Sequence, residues 1–190
     1  MKLLIVVDYQ NDFVDGSLGF EKAKAIENRL VIKIEKHIQE GGIVLFTMDT
    51  HKNDYLTTRE GKSLPVEHCI EKTDGWELHG KIKEVFNKYV KDHVCYMMLK
   101  DTFGMDMGLD LGALKIRKII ESSSEIEMCG VATNICVLSV AVSVQSIAVN
   151  TPITIDASCC ASFDDDLHEK ALDVMEGLQI NVINRGIENE

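Results

Sequence analysis

The sequence predicts a three-layer α/β domain on a mostly parallel six-stranded sheet. Three observations point there. Six short apolar runs recur along the chain, and they are nearly continuous rather than alternating, which marks strands buried on both faces of a parallel sheet. Longer amphipathic stretches separate them. The chain also has the size and composition of a single domain spanning 1–190: 45% of residues are hydrophobic, 27% are charged and only two are proline. No repeat, low-complexity tract or Pro/Gly-rich linker divides it.

The elements follow in order. The first strand is expected at 3–7 and a helix at about 23–39, closed by Gly41 and Gly42. The second strand follows at 43–48. A helix at 77–87 leads to a strand at 94–99, and a helix at 111–121 leads to a strand at 126–131. Segment 133–147 is ambiguous, because its β-branched residues favour a strand and its length favours a buried helix; a helix is expected. A short strand at 153–155, a helix at 165–177 and a strand at 180–183 complete the alternation. Repeated strand–helix–strand units imply a parallel sheet covered on both faces.

Composition narrows the function. The formal net charge is −11. No basic stripe is present, so nucleic acid and anionic membrane surfaces are unfavourable partners. The run at 3–7 is too short for a signal-peptide core, and no apolar stretch reaches the ~18 residues of a membrane span. A cytoplasmic location is expected. The cysteines at 69, 95, 129, 136, 159 and 160 then read as thiols, and the lack of a CxxC pair argues against a structural zinc site.

In open α/β sheets, ligands bind beyond the carboxyl ends of the strands. Asp8 follows the first apolar run. Asp49 and His51 follow the second, Lys100 the third, and 133–136 the fourth. Each has a plain alternative. An Asp after a strand is often a cap, a Lys is often solvated, and a Cys in an apolar helix is often core. The case rests on their convergence at one edge. If Thr133 caps the following helix, Cys136 lies in its first turn, where backbone dipoles favour a thiolate. A Lys ammonium would add to that. A carboxylate beside both would take the thiol proton and return it to a leaving amine. Backbone N–H groups around 131–136 would hold an oxyanion.

These residues carry a resemblance. DxxxDF at 8–13, the Lys100 motif followed by Thr102 and Phe103, and GVATNICV at 130–137 resemble the isochorismatase-like cysteine hydrolases, which include nicotinamidases, carbamoyl-amine hydrolases and isochorismatases. The match spans nearly the whole chain, and the Cys motif is its most specific part. The resemblance implies a Rossmann-like fold, Asp8 as general base and acid, Lys100 supporting the charges on Asp8 and the thiolate, and an acyl-enzyme on Cys136. It implies a non-proline cis peptide at Val131–Ala132 that turns N–H groups into an oxyanion hole. It implies a homo-oligomer, a dimer or tetramer, with no organic cofactor. Isochorismatases proper lack the Cys, so Cys136 argues for amide chemistry.

Asp49-Thr50-His51 resembles the DxH of nicotinamidases, and residues 64–69, LPVEHC, resemble the second metal motif of that group. Asp49, His51 and His68 are thereby expected to bind a divalent ion such as zinc, iron or manganese. Two departures stand out: Leu64 occupies a place usually aromatic, and Glu67 adds one residue between Pro65 and His68. Phe13 is the first choice for an aromatic wall against the substrate, with Phe103 and Trp76 behind it. Cys95 and Cys129 are expected to be buried and inert. His37, His79, His93 and His168 are expected at the surface. The leading functional expectation is a nicotinamidase-type amidase. A second is an amidase of the same family that acts on an N-carbamoyl or ureido compound without metal. A third, a non-catalytic binding protein on this fold, predicts loss of a triad member, and all three are present.

Overall fold

The computed structural model describes residues 1–106, 108 and 111–187. Its strands are β1 (Lys2–Val7), β2 (Ile43–Asp49), β3 (Cys95–Lys100), β4 (Glu125–Val131), β5 (Ile153–Ala161) and β6 (Asn181–Ile183). They form one six-stranded sheet in the order β3-β2-β1-β4-β5-β6, and every neighbouring pair is parallel. The helices are α1 (Asn11–Val14), α2 (Glu21–Ala25), α3 (Glu27–Gln39), α4 (Arg59–Ser63), α5 (Gly80–Tyr89), α6 (Leu111–Glu121), α7 (Leu138–Ile147) and α8 (Asp165–Gly177). α3 packs against α5, while α6, α7 and α8 neighbour one another in series. The right-handed crossover rule puts these two groups on opposite faces of the sheet. Among the described residues no helix is long and apolar enough to cross a membrane.

The apolar runs form the middle of the molecule. Leu3, Leu4, Ile5 and Val7 of β1 are wholly inaccessible, as are Val44, Leu45 and Phe46 of β2. The chain leaves β1 toward β2 on one side and enters β4 on the other, so the strand order reverses between β1 and β4. A crevice opens at such a point, beyond the carboxyl ends of the strands. Gly130 lets β4 close against β1 there: its φ is +123°, and a Cβ would stand 2.2 Å from the Val7 carbonyl oxygen.

Several boundaries differ from expectation for identifiable reasons. The single helix expected at 23–39 is two, with Ile26 between α2 and α3. Residues 77–79 are not helical. Asn11 N donates to Glu77 O and His79 N donates to Tyr9 O, so this segment is tied to the loop after β1. β5 runs past Ile155 because Asp156, which interrupts the apolar pattern, is neutralised inside the fold by Lys33 at 2.6 Å. His37 is buried, not superficial; its Nε2 lies 3.1 Å from Ile43 O, and Gly42 makes room for the ring. His79 and His168 are half-buried, and His93 is exposed as expected. All six cysteines are free and buried.

Candidate active site

Register aligns the strand ends that carry the candidate residues. Val7 stands beside Thr47 and Gly130, and Asp49 stands beside Lys100. Asp8 leaves β1 in the left-handed region (φ 48°), which Asp tolerates better than most residues. Its buried carboxylate accepts a hydrogen bond from Thr47 Oγ1 at 2.6 Å through Oδ1. Oδ2 lies 2.6 Å from Lys100 Nζ, with both side chains inaccessible. Lys100 Nζ also donates to Thr102 O at 3.0 Å and stands 3.8 Å from Cys136 Sγ and 3.7 Å from Asp49 Oδ1. One ammonium thus touches the carboxylate, the thiol and the edge of a second acidic group.

Cys136 sits in a π-helical turn, Thr133–Val137, that leads into α7. Ile135 N and Val137 N both donate to Ala132 O, at 3.1 and 3.2 Å. The Val131–Ala132 peptide preceding the turn is cis. Ala132, not Thr133, is the N-cap, and it caps with no side chain. The Thr133 hydroxyl is engaged elsewhere, 2.8 Å from His168 Nδ1.

The electrostatics assign protons. Burial, opposed by Lys100, raises the Asp8 carboxyl above its usual range. Burial would lower Lys100, but Asp8, then Cys136 and Asp49, outweigh it and keep the ammonium charged. Burial and the adjacent Asp8 push the Cys136 thiol well up, with Lys100 opposing. Desolvation thus works against the help that helix dipoles were expected to give a thiolate, and Asp8 is the carboxylate within reach of the same ammonium.

Asp49, His51 and His68 meet beside this trio. One donor atom of each lies within 4.8 Å of the others, and all three residues are buried. Asp49 Oδ2 is 3.0 Å from His51 Nε2 and 3.4 Å from His68 Nε2. Even so, His51 Nε2 is buried without a hydrogen bond of sound geometry. His68 Nδ1 lies 2.8 Å from Val66 O, which leaves Nε2 for the group, a common support for a metal-binding imidazole. Burial would raise the Asp49 carboxyl, but the two imidazoles and Lys100 hold it below the usual carboxylate range, ionised as a ligand must be. Two imidazoles, one carboxylate and an unsatisfied buried nitrogen fit a divalent metal ion with open positions.

The aromatic candidates take different places. The Phe13 ring packs 5.5 Å from the His68 ring. Phe103 is 43% exposed and lines a cavity of about 560 Å³ that His51, Tyr55 and Glu60 also line. Trp76 is turned to structure, with Nε1 donating to Thr50 Oγ1 at 2.9 Å. Four residues near the site were given no role by the sequence. Tyr55 packs against both imidazoles, tilted to His51 at 4.6 Å and edge-on to His68 at 4.9 Å. Glu60 Oε1 faces both imidazoles at 3.7 and 3.9 Å, its carboxyl raised by burial and by Asp49. Gln10 clamps Asp49 from both sides, accepting from its N–H at 2.7 Å and donating to its carbonyl at 2.8 Å. Asp12 accepts from Cys69 N at 2.7 Å and so anchors the His68 loop. The last two lie inside the DxxxDF segment, which was the available signal.

Residues 2–185 match the Isochorismatase domain family. A Bacillus subtilis (strain 168) protein described as an uncharacterized isochorismatase family protein, PncA, is 33% identical over 174 residues, 90% of this chain and 92% of its own length. The crystal structure of nicotinamidase PncA from Bacillus subtilis superposes with a TM-score of 0.83 at 31% identity, covering 95% of this chain and 98% of that one. The pyrazinamidase/nicotinamidase of Streptococcus mutans UA159 gives 0.84 at 29% identity, covering 96% and 100%. With strand order, site geometry and these likenesses in agreement, the chain belongs to the isochorismatase domain family and resembles the nicotinamidases within it.

Proposed function

We propose that this amide-hydrolysing enzyme is of nicotinamidase type, converting nicotinamide and water to nicotinate and ammonia through an acyl-enzyme on Cys136. The observation that carries the reading is a single ammonium, Lys100, placed between Asp8 and Cys136 and bordering a three-donor metal group. Asp8 takes the thiol proton as sulfur bonds to the amide carbon. Backbone N–H groups around the Val131–Ala132 peptide and Cys136 hold the resulting oxyanion. Asp8 then protonates the nitrogen, the C–N bond breaks and ammonia leaves. Water attacks the thioester with its proton passing to Asp8, the C–S bond breaks, and the proton returns to sulfur. Lys100 keeps Asp8 and the transient thiolate paired with a positive charge throughout.

Asp49, His51 and His68 would hold a divalent metal, which supplies a Lewis-acid position for a ring nitrogen of the substrate. Phe13 and Phe103 would flank the ring. A homo-oligomeric assembly and a cytoplasmic location belong to the same proposal. The test is ammonia release from nicotinamide before and after chelation. The expected result is release that stops on chelation and returns with divalent metal. Release from N-carbamoyl or ureido compounds alone, indifferent to chelation, would replace this reading with the metal-free amidase.

A further inference from the structure

The turn that carries Cys136 is held from behind by two side chains outside every motif. Thr133 and Asn134 precede Cys136 within it. His168, on α8, sets Nδ1 2.8 Å from the Thr133 hydroxyl. Ser162, just past β5, donates to Asn134 Oδ1 at 2.7 Å and accepts from Asp164 N at 3.2 Å. Asp164 is in turn the N-cap of α8. One short segment therefore reaches two residues of the turn. The turn begins on Ala132 without a side-chain cap, so side-chain restraint on Thr133 and Asn134 comes from the β5–α8 segment.

We propose that His168 and Ser162 are positioning residues that fix the Cys136 turn relative to Asp8 and Lys100 and so set the rate of thiol attack. The inference rests on the proposed role of Cys136 as nucleophile. Its physical basis is distance. Sγ stands 3.8 Å from Lys100 Nζ, and misplacing a reacting group by about 1 Å costs up to about a hundredfold in rate. Of the bonded partners, Thr133 is wholly inaccessible and Asn134 is half-buried. The braces themselves line a cavity of about 630 Å³ shared with Arg29, Cys160 and Asn184. Truncating either side chain widens space already present instead of hollowing the core, so the variants are expected to fold.

The experiment compares His168→Ala and Ser162→Ala with His168→Asn, which keeps a polar atom near the place of Nδ1. The readouts are kcat and KM for amide hydrolysis, the melting temperature, and the rate at which iodoacetamide alkylates Cys136, followed by peptide mapping. His168→Ala is expected to lower kcat about tenfold while KM stays within about twofold, to change the alkylation rate severalfold, and to recover on both counts in His168→Asn. Parent-like kcat and alkylation in His168→Ala overturns the proposal, as does an Asn variant no better than Ala, or a change confined to the melting temperature. Alkylation does not depend on the substrate. If nicotinamide is not turned over at all, the alkylation shift and its recovery still support the brace while the functional reading fails.

Discussion

Lys33 and Lys100 are both lysines drawn out of water, and their surroundings are built to different ends. Lys33 reaches from α3 to Glu127 at 2.5 Å and Asp156 at 2.6 Å. Asp156 also accepts from the Ser158 hydroxyl at 2.7 Å and from Asn184 at 3.0 Å. Lys100 faces a carboxylate, a thiol and a second carboxylate, and His51 Nε2 nearby lacks a hydrogen bond. The Lys33 cluster spends its polar capacity internally. The Lys100 cluster keeps some in reserve for an incoming carbonyl, amine or ion, which is how a buried polar group betrays a site and not a staple.

Lys100→Met carries the largest expected effect. It should lower kcat for amide hydrolysis by about 10²–10⁴ with a native circular dichroism spectrum; a parent-like kcat would remove Lys100 from the mechanism. Lys33→Met should do the reverse. Two carboxylates left without their cation should cost about 3–5 kcal/mol of stability in urea unfolding, with kcat of the folded fraction little changed. A loss of rate without loss of stability would erase the distinction between the clusters.

The smallest effect sharpens the same contrast through pH. Burial would raise Asp156, but Lys33, Ser158 and Asn184 hold its carboxyl below the usual range. A group depressed in the folded state adds stability that is complete above its unfolded pKa, about 3.9, and is lost as pH falls through the folded value. Unfolding free energy measured between pH 6 and pH 3 should therefore decline less in Asp156→Asn than in the parent. Equal declines would show that Asp156 contributes nothing to acid sensitivity.

Much of this was legible in the sequence because the signals are repeated or clustered. Continuous apolar runs such as that of β1 can be satisfied only by a sheet covered on both faces, and the first four runs each lead to a polar residue that the fold delivers to one edge. Asp8, Asp49, Lys100 and Cys136 were readable for that reason. What escaped depends on a single distant partner. Asp156 interrupts the apolar pattern of β5 and is retained there only because Lys33, far earlier in the chain, comes to it. Thr133 has the chemistry of a helix cap, yet its hydroxyl turns to His168. His37 is polar but its ring fills the space over Gly42. Glu60, in the one-turn helix α4, and Tyr55, in a short 3-10 turn just before it, lie in elements too short to show periodicity, so only the folded backbone shows that they face His51 and His68.

The central claim is that the thiol of Cys136 forms the bond to the substrate. It is tested most directly by ammonia release from Cys136→Ala, prepared so that its melting temperature and metal content match the parent. The account predicts a loss of at least about a thousandfold, since an alanine methyl group cannot form the thioester. A rate within about tenfold of the parent would contradict it and move the chemistry away from the thiol.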